Sequence, residues 1–152
     1  MTFVVRDLRR EDRPGWENLW GGYLDFYEAK MESVTIEVTW SRLLDPIEPM
    51  FAFVAEDKES HELIGLVHCV IHRGTWSTSN LCYLEDLFTA PSARKRGVGR
   101  ALIEAVYARA DQLQCSRVYW LTQETNETAR KLYDQVAKNA GFIQYRRDNP
   151  KL

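Results

Sequence analysis

Residues Arg94-Lys95-Arg96-Gly97-Val98-Gly99-Arg100 set four cationic side chains around two glycines in Gly-x-Gly spacing. Val98, Ala101, Leu102, Ala105, Val106 and Leu113 then recur at helical spacing, so a helix starts near Val98 and the basic stretch is the turn leading into it. A helix N-terminus presents unpaired N–H groups and roughly half a positive charge, and glycine lets an anion approach the backbone. Phosphate is the ligand with that chemistry. A dinucleotide fingerprint needs a third glycine where Leu102 stands, and a P-loop needs Lys-Ser/Thr where Arg100-Ala101 stand, so neither motif fits. A basic loop opening a surface helix would account for the same residues, so the turn alone does not decide between ligand and solvent.

Other reactive side chains lie on either side of this turn. Glu85 and Asp86 are neighbours in a strand spanning 81–89, where alternation places them on opposite faces and only one can meet a given ligand. Tyr133 follows Asn126 by seven residues, which puts the two on one helix face about 10 Å apart. His68 and His72 are four strand residues apart, about 13 Å, too far to share an ion, and no metal site is expected. Cys69, Cys82 and Cys115 are odd in number and lack CxxC spacing, so they read as small buried hydrophobes.

The elements that must position these groups follow from periodicity. Residues 3–6 form a short strand. From residue 11 a helical segment carries Trp16, Leu19, Trp20, Tyr23, Phe26 and Tyr27 on one face, with a bend expected at Gly21-Gly22. A second helix spans 35–44 and stops at Asp45-Pro46. Strands over 51–56, 63–71 and 81–89 make a meander, and the helix from Val98 leads to a short strand over 118–121. Asn126 caps a helix that runs to Ala140 and ends at Gly141, and residues 142–146 close the chain as a strand. The order describes an α/β sandwich with a mixed sheet, a single domain over 1–152.

Composition narrows the class. No apolar run approaches the roughly 18 residues of a membrane span, and the N-terminus lacks a secretory layout, so the expected location is cytoplasmic, with no membrane partner. The formal net charge of −2 hides an asymmetry. Residues 16–60 carry ten acids against three bases, and residues 94–152 carry twelve bases against six acids. Two unlike ligands suit this better than one polyanion, and nucleic acid is not expected.

Arg94-x-x-Gly97-x-Gly99 resembles the Arg/Gln-x-x-Gly-x-Gly/Ala signature of the Gcn5-related N-acetyltransferases. Tyr83-Leu84-Glu85-Asp86-Leu87-Phe88-Thr89 upstream and Asn126 with Tyr133 downstream are similar to the same superfamily, and closely to its polyamine-, thialysine- and D-amino-acid-acetylating branches. The resemblance covers nearly the whole chain and implies a GNAT-type mixed, largely antiparallel central sheet flanked by helices.

It also implies acetyl-CoA as the acetyl donor. The backbone of Leu87, Phe88 and Thr89 would lie along the pantetheine arm, with an N–H of Leu87 or Phe88 at the thioester oxygen. Arg94, Lys95, Arg96, Gly97, Val98, Gly99, Arg100 and Ala101 would hold the pyrophosphate, and Asn126 and Ala129 the middle of the arm. Tyr133 would protonate the departing thiolate and Glu85 would take the amine proton, often through water. Asp86 would orient the substrate or support the structure. Tyr23, Phe26, Tyr27, Glu28 and Trp40 come from the front helices that form the acceptor wall. Aromatic faces attract cations by about 0.5–2 kcal/mol, although aromatics at helical spacing serve a core equally well.

Two departures from the family pattern stand out: Thr89 replaces the usual valine, and about four extra residues between Tyr133 and Gly141 would add about one helical turn. The activity so implied is acetyl transfer to a primary amine of a small molecule, a polyamine, amino acid or related diamine, by direct attack in a ternary complex. A protein lysine or N-terminus, histone tails included, is the alternative acceptor, and a non-catalytic acetyl-CoA-binding module the alternative class. The family resemblance further implies a homodimer.

Overall fold

A computed structural model describes residues 2–152. The chain divides into two compact units, Met1–Leu121 and Thr122–Leu152. In the first, β1 (Phe3–Asp7), α1 (Arg13–Phe26), α2 (Ser33–Leu44), β2 (Met50–Asp57), β3 (Leu63–His72), β4 (Leu81–Thr89), α3 (Val98–Gln112) and β5 (Arg117–Tyr119) follow in order. The five strands form one sheet in sequence order. Neighbours from β1 to β4 are antiparallel, and β5 runs parallel to β4. The mixed, largely antiparallel sheet expected from the sequence is therefore present.

Each sheet face is covered because strand residues alternate. On one face Ala52, Val54, Leu66 and Phe88 pack with Trp16, Leu19, Trp20, Trp40 and Leu43 of α1 and α2. On the other, Val67, Cys69 and Cys82 are buried, as are Leu102, Ile103 and Val106 of α3, which crosses β3 and β4. Each large aliphatic side chain so buried contributes about 1.5–3 kcal/mol. Cys69 and Cys82 are fully buried and Cys115 is half-buried, all as free thiols.

Two expectations change in the front helices. Helix α1 runs from Arg13 to Phe26 without a break at its glycine pair. Gly22 is there for packing: a Cβ would lie 3.1 Å from the Phe88 ring. Trp40, expected on the acceptor wall, is instead a core residue. It is 8% exposed, its ring lies 4.9 Å from that of Trp16, and the Arg13 guanidinium covers it at 5.4 Å.

In the second unit, α4 spans Glu127–Val136 with Asn126 as N-cap, whose side chain accepts the Ala129 N–H at 3.3 Å. The helix stops at Val136, short of the expected Ala140, because Ala137 turns extended at φ −150°. Gly141 does adopt the left-handed conformation, φ +81°, but beyond the helix. The extra residues after Tyr133 thus lie in an irregular segment and do not lengthen α4.

The closing strand expected over 142–146 does not form. A strand exists by pairing its backbone groups with a neighbour, whereas described hydrogen bonds here are local, such as Gly141 N–H to Asn139 Oδ1 at 2.9 Å. Phe142 and Tyr145 are both 92% exposed. No described helix is long and apolar enough to cross a membrane.

Candidate active site

The basic turn is built by backbone conformations its sequence allows. After β4, Ala90 N–H bonds to the Ile64 carbonyl at 2.9 Å, and a short 3-10 turn over Pro91–Ala93 buries Ala93. Lys95 and Gly97 both take positive φ, +66° and +81°, which glycine adopts without strain. Gly97 is the N-cap of α3, and Ala101 N–H closes the first helical bond onto its carbonyl at 3.0 Å, so the Ala101 amide is not available to an anion.

Val98, 1% exposed, points down onto β3. A Cβ on Gly65 would come within 2.7 Å of Val98 Cγ1, so this glycine admits the helix end to the sheet.

The four cations of the turn are not equivalent. Arg96 is turned away to Asp57 Oδ2 at 3.0 Å and to Thr2 Oγ1, which ties the turn to the β2–β3 hairpin. Asp57 accepts the Ser60 and Glu59 N–H groups as well. These backbone bonds, with Arg96, hold its carboxyl down at about 2. Arg94 and Lys95 remain exposed beside the helix end. Exposed cations, a glycine cap and a helix N-terminus are the features an anionic pyrophosphate requires.

Strand β4 carries the decisive irregularity. His68 pairs with Asp86 and the next residue, Cys69, pairs with Leu84, so Glu85 is the extra residue of a β-bulge. Directly opposed residues share a face, and adjacent ones on a regular strand do not. Leu84 therefore faces α3 with Cys69 and Asp86 faces α1 with His68, while Glu85, the extra residue between them, lies close enough to Asp86 and Tyr23 for their charges to act on one another. The bulge interrupts the regular alternation expected for the two carboxylates.

The same stretch is open on its other edge. The β4–β5 ladder covers only Leu81–Tyr83 against Arg117–Tyr119, so residues 84–89 have no strand opposite them on that side among the described residues.

On the α1 face Asp86 meets a line of polar groups. Trp16 Nε1–H donates to His68 Nε2 at 2.9 Å, and His68 Nδ1 lies 3.0 Å from Asp86 Oδ2. Tyr23 lies beside Asp86. Burial first, then the charge of Asp86, push the Tyr23 hydroxyl far above its ordinary value, so it stays protonated. Glu85 reaches solvent, yet the protein packed around it, and then the Asp86 charge, raise its carboxyl above the usual glutamate range.

Of the residues expected to form the acceptor wall, Tyr23 touches this cluster directly. Tyr27 packs on Tyr23 at 4.9 Å with 41% exposure, and Phe26 and Glu28 are exposed at the same end of α1. His68 was not expected here. Its signal was a lone titratable residue inside the apolar run Leu66-Val67-His68-Cys69-Val70.

In the second unit, Asn126 and half-buried Tyr133 lie on one side of α4, the Asn126 side chain serving as the helix cap. Among the described residues no group of three or more His, Cys, Asp or Glu side chains is placed to hold a metal ion.

Comparison with known proteins agrees with this architecture. The family model described as Acetyltransferase (GNAT) family matches residues 5–142. The D-amino-acid N-acetyltransferase HPA3 of Saccharomyces cerevisiae is 35% identical over 145 residues, covering 95% of this chain and 90% of its own. The uncharacterized N-acetyltransferase YhfO of Bacillus subtilis is 27% identical over 93% of this chain and 94% of its own. Among solved structures, AAC(6')-Iy in complex with a bisubstrate analog superposes with a TM-score of 0.84 at 19% identity, covering 98% of this chain and 99% of its own. At that identity the likeness concerns the fold alone.

Proposed function

The chain belongs to the acetyltransferase (GNAT) family and is an N-acetyltransferase, and on that premise we propose that its acceptor is the primary amine of a small cationic molecule, a polyamine, amino acid or related diamine. The observation that carries this reading is the pair Glu85 and Asp86 side by side at the β4 bulge, close to Tyr23, near the point where β4 parts from β5. Two carboxylates against an aromatic surface attract a cation. A D-amino-acid acetyltransferase as relative adds weight to small amines.

In this reading the amine attacks the thioester of acetyl-CoA directly, within a ternary complex. The new N–C bond forms as the C–S bond breaks. Glu85 takes the proton the amine must lose, for which a carboxyl raised above its usual value is better matched than an ordinary one. A backbone N–H of Leu87 or Phe88, on the strand edge that β5 leaves open, donates to the thioester oxygen. Tyr133 supplies the proton to the departing sulfur. The turn from Arg94 to Arg100 holds the pyrophosphate through its backbone and the exposed Arg94 and Lys95, while Arg96 secures the turn itself. Cys69 and Cys82 are fully buried, which disfavours either as a covalent acetyl carrier.

The test is thiol detection of coenzyme A release from acetyl-CoA across polyamines, D- and L-amino acids, thialysine and a basic peptide. Turnover confined to one small-amine class supports the reading. Turnover of the peptide alone would move the acceptor to protein lysines.

A further inference from the structure

Neither proton transfer uses His68, which is 3% exposed and hydrogen-bonded at both ring nitrogens. An indole N–H can only donate, so His68 Nε2 must be the acceptor of Trp16 Nε1–H. The ring proton then sits on Nδ1 and is donated to Asp86 Oδ2. The Trp16 and Trp20 rings wall the imidazole at 6.0 and 4.9 Å.

Charged and titratable groups approach from each packed element. From α1 come Tyr23, beside Asp86, and Arg13, which lies over the Trp16 ring at 5.7 Å and pairs with Glu37 of α2. From β4 come Asp86 and Glu85, and β2 places uncharged Ala52 opposite His68. Asp86 is thus bonded to His68, and a carboxylate has acceptor capacity beyond that bond.

We propose that His68 is a positioning residue: held on one side by the Trp16 indole N–H, it fixes the Asp86 carboxylate as the seat for the cationic amine, while neighbouring Glu85 takes the proton. This rests on the small-amine reading above. It divides the work of two adjacent carboxylates by hydrogen bonding: Asp86 is immobilised to bind, and Glu85 reaches solvent.

The experiment uses the full chain with acetyl-CoA and two probe amines, 1,3-diaminopropane and D-lysine. His68→Leu is expected to raise the KM of both amines about tenfold or more with the KM of acetyl-CoA unchanged. His68→Asn, whose amide N–H can replace the Nδ1 donor, should restore most of the loss. Trp16→Phe, which removes the donor to Nε2 while keeping an aromatic ring, should raise the amine KM in the same direction by a smaller factor.

The proposal is overturned by a folded His68→Leu protein with unchanged amine KM, or by a His68→Asn protein that restores nothing. Should His68→Leu not fold, Trp16→Phe decides: an unchanged amine KM overturns the proposal. Wild-type protein that binds acetyl-CoA calorimetrically but acetylates neither probe would overturn the small-amine reading and, with it, Asp86 as the amine seat. Turnover with unchanged amine KM in His68→Leu would overturn the positioning role alone.

Discussion

Val98, in the first turn of α3, rests on Gly65 of β3 so closely that a Cβ at Gly65 would lie 2.7 Å from Val98 Cγ1, 3.1 Å from Leu102 Cδ1 and 3.3 Å from the Phe88 carbonyl oxygen. The glycine is what lets the end of the helix proposed to bind phosphate sit directly on the sheet. Gly65→Ala should therefore lift that end, costing about 1–3 kcal/mol in urea unfolding as overpacked cores do. Acetyl-CoA affinity should fall with it. Unchanged stability would show that α3 has room to move.

The turn itself is limited by conformation at one glycine and by ligand charge at the other. Gly97 has open space around its Cα but φ +81°, so Gly97→Ala should cost about 1–2 kcal/mol from the left-handed backbone alone. Gly99→Glu should weaken acetyl-CoA binding through bulk and negative charge in the first turn of the helix. Calorimetric titration with acetyl-CoA checks both.

Glu85 must be ionised to accept a proton, and its carboxyl lies above the usual range, so kcat/KM should fall on the acid side above the ordinary value of about 4.3. Asp86→Asn removes a negative neighbour and should shift that limb to lower pH. Glu85→Gln should reduce kcat about 100-fold. Stability follows the same sign: the folded protein holds this proton more tightly than the unfolded chain, so the contribution is present below about pH 4.3 and lost as pH rises through the folded value. Glu85→Gln should thus raise Tm relative to wild type more at neutral pH than in acid.

Tyr133→Phe should leave acetyl-CoA binding intact and slow turnover about 100-fold. A rate unchanged across pH would falsify its role as the acid.

Asp57 works in the opposite direction. Its folded value of about 2 lies below an unfolded one of about 3.9, so its stabilisation is complete above the latter and disappears as pH falls through the former. Asp57→Asn should be less stable than wild type at neutral pH, and its Tm should decline less on acidification between those two values.

Much of the local structure around the proposed phosphate turn was legible along the chain, because it depends on nearby residues. Gly97 takes the conformation that glycine permits, the apolar period starts α3 at Val98, and Asn126 caps α4 as its type and position suggest. The failures came where pairing or burial decides. Gly141 resembles a helix end, yet α4 stops at Val136, and residues 142–146 have strand composition without a ladder to join. Trp40 has the same helical spacing as Tyr23 and Tyr27, but it is buried against Trp16 whereas Tyr27 is exposed.

The sequence by itself determined the turn proposed for the coenzyme and the carboxylates and tyrosine proposed for proton transfer, since these depend on residue type and on neighbours a few positions away. Only the tertiary structure put a bulge at Glu85, beside Asp86, and only it joined Trp16, His68 and Asp86 into one line with Tyr23 beside it. The bulge is a property of two strands in register, and the line draws on one helix and two strands; neither exists until segments far apart in the chain have packed.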